Sequence, residues 1–266
     1  MNHKDIVSRN IAAIKDDETL KFNSINWIKD TAKYNYSYNF TWMDRPIIQY
    51  PQDMAAMQEI IWEVKPDLII ETGIAHGGSL IMYASYLAML DYAEAAASGK
   101  SIDPKKSKRK LLGIDIDIRE HNRKAIEEHP MSHMIDMIQG SSIDDKIINQ
   151  VKDYAGKYNK ILISLDSNHT HDHVLAELEA YGPLTSQGSY CVVFDTVVED
   201  LPKEMFPDRT WGPGDNPKTA VWEYMKRLKE DGRKAADGEA LNFEIDKMID
   251  YKLLISVAPD GYLKRV

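Results

Sequence analysis

The sequence contains one cysteine, Cys191, in 266 residues, and it has no excess of positive charge. A single cysteine excludes an intrachain disulfide framework and fits a reducing compartment. With 42 acidic and 33 basic residues, the net charge of -9 is not typical of a nucleic-acid binder. The first ten residues lack the basic-then-apolar pattern of a signal peptide, and no apolar run approaches the length of a membrane span. We therefore expect a soluble, cytoplasmic protein.

Residues 66–79, PDLIIETGIAHGGS, carry the clearest local pattern. An apolar run typical of a strand buried on both faces leads to Glu71, a glycine-rich turn and a predicted helix over 80–97. Such a turn lets the backbone approach a ligand and directs helix N–H groups at it. It reads ExGxxxGGS and not GxGxxG, and the leading acid suits an ammonium or hydroxyl-rich ligand better than a pyrophosphate. This indicates S-adenosylmethionine (SAM), the alternative being an ordinary tight turn.

The remaining apolar runs predict an α/β fold. Predicted strands near 111–115, 135–138, 161–165 and 190–193 alternate with helices or long loops, which is typical of a doubly wound, mostly parallel sheet. Residues 251–258 and 261–266 are predicted to form two strands joined by a Pro-Asp-Gly turn, hence an antiparallel hairpin. A seven-stranded sheet that ends in this way is the pattern of SAM-dependent methyltransferases of the Rossmann-like type. This likeness concerns the fold and does not by itself identify a reaction.

Three segments outside these strands have composition patterns of their own. Residues 1–50 are aromatic and polar, and we predict a separate cap with helices near 6–14 and 18–32, before a main domain over 51–266. A lid over the pocket or a dimer contact is the alternative for this cap. The lysine-rich loop at 98–110 is predicted to be a solvated connection or a clamp for an anionic group. The loop after residue 196, rich in proline and glycine, is long enough to be a lid, and its Arg209 and Trp211 could contact substrate or hold the loop closed.

Acidic residues stand at the predicted carboxyl ends of four strands: Glu71, Asp115, Asp166 and Asp195. Ligands of doubly wound sheets bind in the crevice beyond these strand ends, so we expect the four acids to converge. Asp115, after the second strand, is in the usual place to hold a ribose through both hydroxyls. The polar turn QGSS, which includes Ser141, suits contact with an adenine edge.

The segment LDSNHTHDH after the fourth strand is the richest in candidate catalytic groups. A zinc site is one hypothesis, but the alternate histidines at 169, 171 and 173 would have to fold around the ion, and a further ligand would be needed. A hard cation is the stronger hypothesis, because Asp166 and Asp195 offer the carboxylate oxygens that Mg²⁺ prefers. The cation would activate a substrate hydroxyl, and a nearby histidine could accept the proton. His169 is our first candidate for that base and His171 the second, while His173 is expected to be structural.

Long blocks of the sequence resemble the cephalosporin hydroxylase family. These blocks are RPIIQYPQDMAAMQEIIWEVKPDLIIETGIAHGGS, LDSNHTHDHVLAELEAYGPL, and GSYCVVFDTVVEDLP with WGPGDNPKTAVWEY. Despite the name, members of this family look like SAM- and Mg²⁺-dependent O-methyltransferases, and they include rhamnosyl O-methyltransferases. The resemblance covers about residues 42–223.

The resemblance implies a cofactor site and a metal site. It implies that Glu71, Gly73 and Ser79 frame the methionine end of SAM and that Asp115 holds the ribose. His76 and Gly77, within the same turn, are further candidates for cofactor contact, although His76 could instead cap the helix. Asp166 is expected to serve both the cofactor and the metal.

The metal site departs from the family pattern at one position. The resemblance makes Asp166 and Asp195 metal ligands, but many relatives have a glutamate where this chain has Phe194. A neighbouring oxygen such as that of Thr196, or water, would then complete the shell, or the metal would bind more weakly. The catechol O-methyltransferase type places its base three residues after the first metal-binding aspartate, which is His169 here.

We predict a SAM-dependent, Mg²⁺-assisted O-methyltransferase that acts on a hydroxyl of a sugar, nucleotide sugar or glycoside. One alternative keeps SAM but changes the acceptor to a catechol or β-lactam-type metabolite. Another is a non-enzymatic binding protein that retains the fold, and Phe194 is the one feature that favours it. A homo-oligomer contact would be sought in the aromatic region before residue 50.

Overall fold

The computed structural model describes residues 2–266, in which a seven-stranded sheet has helices on both faces. The strands are β1 (Phe40–Trp42), β2 (Arg45–Ile47), β3 (Leu68–Thr72), β4 (Lys110–Asp115), β5 (Ile135–Gln139), β6 (Ile161–Leu165), β7 (Tyr190–Val193), β8 (Phe243–Ile245) and β9 (Tyr262–Arg265). The helices are α1 (His3–Lys15), α2 (Glu18–Ala32), α3 (Pro51–Val64), α4 (Gly78–Ser98), α5 (Glu120–Glu127), α6 (Asp145–Ala155), α7 (His171–Tyr181), α8 (Pro217–Asp231) and α9 (Lys247–Leu253). No helix within these residues is both long and apolar enough to cross a membrane.

The strand order confirms the predicted fold class. The sheet runs β5-β4-β3-β6-β7-β9-β8, and the first five strands are parallel. β9 pairs antiparallel with both β7 and β8, which closes the sheet with the expected antiparallel pair. The order reverses at β3, so the crevice beyond the ends of β3, β4 and β6 is the topological switch point where such sheets bind ligands.

The first strand of the antiparallel pair is not where the sequence predicted it. The pair is formed by β8 and β9, whereas residues 251–258 form the end of α9 and a loop. This loop is fixed by the buried Asp53 of α3, whose carboxylate accepts hydrogen bonds from the Ser256 hydroxyl at 2.6 Å and the Val257 amide at 2.9 Å. The apolar residues of the loop therefore reflect packing against α3 and not strand pairing.

Two hydrophobic cores lie on the two faces of the sheet. One includes residues of α3 and α4, such as Met57 and Leu87, and the other includes residues of α7 and α8, such as Leu178 and Val221. Every residue of β3 and β6 is buried, which explains the runs of three apolar residues at 68–70 and 161–163 with which these strands begin.

The first fifty residues pack closely on the rest of the chain. α1 contacts α9, and the β1-β2 hairpin contacts α4, where the Trp42 indole donates to the Ser85 hydroxyl at 3.0 Å. Ile28 of α2 and Tyr50 form a small core with Val197 and Leu201 from the segment after β7. A domain boundary at residue 50 stays a prediction.

Candidate functional site

A cavity of about 390 Å³ lies at the carboxyl ends of β3, β6 and β7. Its walls come from residues 37–49, the glycine turn after β3, the loop after β6, Asp195, and Arg209 with Trp211. The volume falls within the range of about 300–1,000 Å³ that is usual for small-molecule sites. The expected crevice is therefore present, and the segment before α3 forms one of its walls.

The glycine turn is packed directly against the end of β6. Gly73 has a φ of +88°, and a Cβ atom built on it would lie 1.9 Å from the backbone oxygen of Asp166. Gly77 has a φ of +81°, and its Cβ would meet the Ile126 side chain at 2.4 Å. Both positions thus need glycine for reasons internal to the fold. His76 and Ser79 line the cavity itself.

Glu71 and Asp115 lie behind this turn and are not part of the cavity wall. Glu71 is 1% exposed, and its Oε2 has no hydrogen-bond partner among residues 2–266. Burial raises the pKa of the Glu71 carboxyl well above its usual range. Asp115 accepts hydrogen bonds from the amides of Ile74 at 2.8 Å and Ala75 at 3.3 Å, and from that of Asp117 at 3.0 Å. These bonds stabilise the glycine turn, and Oδ1, which accepts from Asp117 alone, keeps acceptor capacity for a ribose hydroxyl, so this role of Asp115 stays a prediction.

The polar turn after β5 lies at the edge of the sheet. The Ser141 carbonyl accepts a hydrogen bond from the amide of Asp144 at 3.0 Å, and Asp144 caps α6. Ser141 is half-buried and does not line the main cavity. The structure thus places it one strand beyond Asp115, at the far end of the crevice.

Asp166, His169 and Asp195 form a compact cluster in the cavity. One ligand atom from each lies within 4.8 Å of the others, and this is the one such group of metal-ligating side chains within residues 2–266. His169 Nε2 is 3.2 Å from Asp195 Oδ2 and 3.7 Å from Asp166 Oδ1. Asp166 directly follows β6, and Asp195, with a φ of 55°, turns the chain back soon after β7. Neighbouring parallel strands therefore bring together residues nearly thirty positions apart.

The charges of the cluster are strongly coupled. Burial opposes protonation of His169, but the carboxylates of Asp195 and Asp166 outweigh it and raise the pKa of the imidazole to about 9. Burial, helped by the charge of Asp195, raises the pKa of the Asp166 carboxyl to about 7. In the absence of a cation, the protonated imidazole balances part of the negative charge.

The other two histidines of the segment lie elsewhere. The Nδ1 atom of His171 is 2.8 Å from the Thr219 hydroxyl of α8, so the structure does not bring this second candidate base into the cluster. His173 Nε2 lies 3.1 Å from the Ser142 hydroxyl and 3.2 Å from that of Ser167, as a structural histidine would. α7 begins at His171, so both side chains lie in its first turn.

Neither residue that flanks Asp195 offers an oxygen to the cluster. Phe194 is 2% exposed and packs in the core that contains α3 and α4. Thr196, expected to be a neighbouring ligand, is fully buried, and its hydroxyl donates to the carbonyl of Pro259 at 2.6 Å. The Thr196 side chain therefore faces the loop before β9 and not the cavity.

Two further residues contact the cluster, and one of them, Gln49, was missed by sequence reasoning. Gln49 is 4% exposed, and its Nε2 lies 3.4 Å from Asp166 Oδ2. The Trp211 ring lies 5.0 Å from the His169 ring between centroids, and the Arg209 guanidinium lies 5.3 Å from the Trp211 centroid. The sequence indicated Trp211 and Arg209 through the long loop after residue 196, as candidates for substrate contact or for holding the loop closed. No periodic or spacing signal indicated Gln49.

The donor set fits a hard divalent cation better than zinc. Two carboxylates and a nearby side-chain amide provide oxygen atoms, whereas a zinc site would need more nitrogen or sulfur donors than His169 alone. The cavity also offers what the methionine end of SAM needs: the Ser79 hydroxyl, the first turn of α4 and nearby carboxylates.

Comparisons with known proteins agree on one family. A family model described as Rhamnosyl O-methyltransferase/CmcI matches residues 34–266. A rhamnosyl O-methyltransferase of Mycobacterium bovis (strain BCG / Pasteur 1173P2) is 30% identical over 214 residues, which cover 80% of this chain and 73% of the relative. One of Mycobacterium leprae (strain TN) is 29% identical over 233 residues, which cover 87% of this chain and 86% of the relative. A solved structure described as CmcI with Mg-SAM has a TM-score of 0.52 at 16% identity, covering 86% of this chain and 77% of that one, a likeness of fold alone.

Proposed function

Because the chain belongs to the Rhamnosyl O-methyltransferase/CmcI family, we propose that it is a SAM-dependent, Mg²⁺-assisted O-methyltransferase that acts on a hydroxyl of a sugar or glycosylated small molecule. The observation that carries the proposal is the cluster of Asp166, His169 and Asp195 beside the glycine turn. Methyl transfer to a hydroxyl needs a bound donor, a held acceptor and a group that takes the proton. The cavity contains residues for each of these tasks.

The glycine turn and the first turn of α4 form the donor half of the site. When bound, SAM supplies an electrophilic methyl group on sulfur. We assign His76 and Ser79 to direct cofactor contact, because both line the cavity. Gly73 lines the cavity as well, so its backbone belongs to the contact surface, whereas Glu71, Gly77 and Asp115 lie behind the wall and set the shape of the turn and the electrostatics beneath it.

Asp166 and Asp195 form the cation half of the site. A bound Mg²⁺ would lower the pKa of an acceptor hydroxyl and orient it. The two carboxylates lie on one wall of the cavity and match the charge of a divalent cation. Asp166 is also in backbone contact with Gly73, so the positions of the cation and of the donor are linked. Holding both reactants in one geometry supplies much of the rate enhancement.

His169 is the proposed general base. Its Nε2 atom faces the two carboxylates that would hold the cation, so the imidazole lies beside the acceptor hydroxyl that the cation would orient and can take its proton. The Trp211 ring packs against the imidazole, restricts its orientation and limits the access of water. The base therefore lies where the acceptor hydroxyl must come to reach the donor.

The indole of Trp211 is the proposed platform for the acceptor. It lies at the cavity wall next to His169, with Phe206 behind it at 5.2 Å between ring centroids. An aromatic face packs well on the apolar C–H face of a sugar ring, while Arg209 and Asn168 offer hydrogen-bond donors to its oxygens. The names of the mycobacterial relatives make rhamnosyl glycosides the first class of acceptor to test.

Location and assembly are further proposals. The buried, free thiol of Cys191 fits a cytoplasmic location. Tyr34, Tyr38 and Met43 expose large apolar side chains in the region where a homo-oligomer contact was expected. The lysine-rich loop at 98–110 precedes β4, at the opposite end of that strand from the cavity, so a clamp on the acceptor is not part of the proposal.

A methyl-transfer screen tests the proposed function. The purified chain is incubated with SAM and a panel of rhamnosides, nucleotide sugars and catechols, with Mg²⁺ or with EDTA, and S-adenosylhomocysteine is measured. We expect turnover with a glycosidic acceptor that EDTA abolishes and Mg²⁺ restores. Turnover with catechols alone would overturn the acceptor class, and a failure to bind SAM in calorimetry would overturn the enzyme assignment.

A further inference from the structure

Among residues 2–266, the strand ends offer two side-chain carboxylates to the proposed cation site, those of Asp166 and Asp195. Position 194 holds a buried phenylalanine, and the Thr196 hydroxyl is bonded to Pro259. Mg²⁺ binds oxygen ligands in octahedral geometry and usually keeps several waters, so two carboxylates suffice for weak binding. A third oxygen from elsewhere in the chain would fix the position of the ion more firmly.

Gln49 is the side chain best placed to supply that oxygen. It lies between β2 and α3, is 4% exposed, and lines the cavity beside Asp166. Its Nε2 is 3.4 Å from Asp166 Oδ2. Its Oε1 is buried and has no hydrogen-bond partner in the part of the chain that the structure describes. A buried carbonyl oxygen without a partner is costly, so native structures normally give it a use.

We propose that the Gln49 carboxamide oxygen is the third protein ligand of the divalent cation, an inference that rests on the proposed function. Without the cation, the amide nitrogen donates to Asp166 and partly offsets its charge. With a cation between the carboxylates, the metal would balance the charge of Asp166. The Gln49 carboxamide could then turn its oxygen toward the cation. The two ends of a carboxamide have nearly the same shape, so this exchange needs only a rotation of the side chain.

A neutral third ligand also has a consequence for charge. Asp166 and Asp195 already balance a divalent cation, so an uncharged amide adds coordination without an excess of negative charge beside the donor and acceptor. Gln49 would thereby replace the ligand that is missing at position 194. It lies in the segment between β2 and α3, whereas position 194 directly follows β7.

Direct titration of the metal tests this role without any turnover. Mn²⁺ is titrated into the full-length chain without SAM or acceptor, and free Mn²⁺ is followed by electron paramagnetic resonance. We expect Gln49→Leu to weaken Mn²⁺ binding at least about 10-fold, the smaller end of the loss usual even for residues that only support a metal ligand. The matched control is Gln52→Leu, since the Gln52 carboxamide oxygen is also buried and unpartnered within residues 2–266 but does not line the cavity. This control should bind Mn²⁺ as the wild type does.

Gln49→Glu separates a ligand from a residue that merely positions Asp166. A ligand keeps its oxygen in this variant and gains a charge, so Mn²⁺ should bind as tightly as in the wild type or more tightly. A positioning residue would lose its N–H donor and repel Asp166, so Mn²⁺ would bind more weakly. Weaker binding in Gln49→Glu therefore overturns the proposal. Circular dichroism checks folding, and Gln49→Met replaces Gln49→Leu if the latter does not fold.

The controls also separate this inference from the proposed function. If the wild type binds Mn²⁺ and Gln49→Leu binds it equally well, Gln49 is not a ligand, whereas the metal-assisted function stands. If the wild type binds no Mn²⁺, the metal step of the proposed function is overturned, and the proposal about Gln49 is overturned with it. Binding of S-adenosylhomocysteine in the absence of metal should be the same in Gln49→Leu and the wild type. A loss there, with Mn²⁺ binding intact, would make Gln49 a cofactor ligand and overturn the proposal.

Discussion

The Nε2 atom of His169 lies 3.2 Å from Asp195 Oδ2, although the two residues belong to loops that follow different strands. The same atom is 3.7 Å from Asp166 Oδ1. The imidazole therefore bridges two carboxylates at the point where a cation and an acceptor hydroxyl would meet. Five predictions follow from this arrangement and from the packing around it.

Replacement of His169 should impair catalysis but not cofactor binding. We expect His169→Gln to lower kcat by about 10²- to 10⁴-fold, the usual contribution of a general base. S-adenosylhomocysteine affinity, measured by calorimetry, should change little. His171→Gln is the comparison variant, because the His171 imidazole is bonded to Thr219. An equal loss of kcat in both variants would contradict the assignment of the base to His169.

Metal binding should release a proton. The pKa of His169 is raised to about 9 and that of Asp166 to about 7 in the cation-free protein, so at pH 7.5 the imidazole is protonated. A cation at the carboxylates expels that proton, and Mg²⁺ affinity should therefore rise with pH up to about 9 and then level off. Calorimetry in buffers of different ionisation enthalpy counts the proton. An affinity that stays constant between pH 7 and 9 would refute this prediction.

Removal of the Trp211 ring should weaken acceptor binding. We expect Trp211→Ala to raise the KM for a glycosidic acceptor about 10-fold, equivalent to ~1.4 kcal/mol of lost stacking. The KM for SAM should stay within about twofold. Trp222→Ala is the matched control, since Trp222 lies on the exposed side of α8. If both variants keep the wild-type acceptor KM in steady-state assays, Trp211 is not the platform.

A methyl group at Gly73 should disrupt the site from within. The Cβ of Gly73→Ala would lie 1.9 Å from the Asp166 backbone oxygen at a φ of +88°, so the turn or the end of β6 must move. We expect a loss of about 3 kcal/mol or more in the free energy of unfolding, together with weaker SAM and metal binding. Gly99→Ala, at a φ of +64° with no atom within 4 Å, should cost only about 1 kcal/mol. Equal urea midpoints for the two variants would show that the close approach is unimportant.

Loss of the Asp53 carboxylate should destabilise the fold. Asp53 is fully buried and accepts hydrogen bonds from Ser256, Val257 and the Tyr262 hydroxyl, the last at 2.7 Å. Asp53→Ala leaves these donors unsatisfied, and we expect a loss of about 3 kcal/mol or more in urea unfolding. Glu63→Ala, which removes an exposed ion pair with Lys264, should cost under about 1 kcal/mol. A small loss in Asp53→Ala would mean that the loop before β9 is held by its apolar contacts alone.

Much of the sheet and part of the site could be predicted from local patterns. Strands β6 and β7 have the predicted boundaries, because parallel strands buried on both faces produce unbroken apolar runs. The convergence of Asp166 and Asp195 follows from the rule that neighbouring parallel strands end at one edge. His169 was reached in the same way, three residues beyond the first of these strand ends.

The residues that were missed depend on contacts that no local pattern records. Gln49 reaches Asp166 across 117 positions of sequence, through a hairpin whose strands are only three residues long. Thr196 was a reasonable ligand by position, but its hydroxyl donates a hydrogen bond to the backbone carbonyl of Pro259. Residues 251–258 resembled a strand, because a loop that packs its apolar side chains on α3 can show the same alternation. In each case tertiary contacts decided the outcome.

The absence of space between Gly73 and Asp166 bears on how the enzyme can change shape during turnover. The donor turn and the cation-binding strand end form one mechanical unit, and neither can shift by the width of a methyl group without the other. The segments that carry Gln49 and Trp211 form other parts of the cavity wall, and we expect any opening of the cavity to involve them. A change of acceptor preference can evolve in these segments while the methyl-donor machinery is inherited intact.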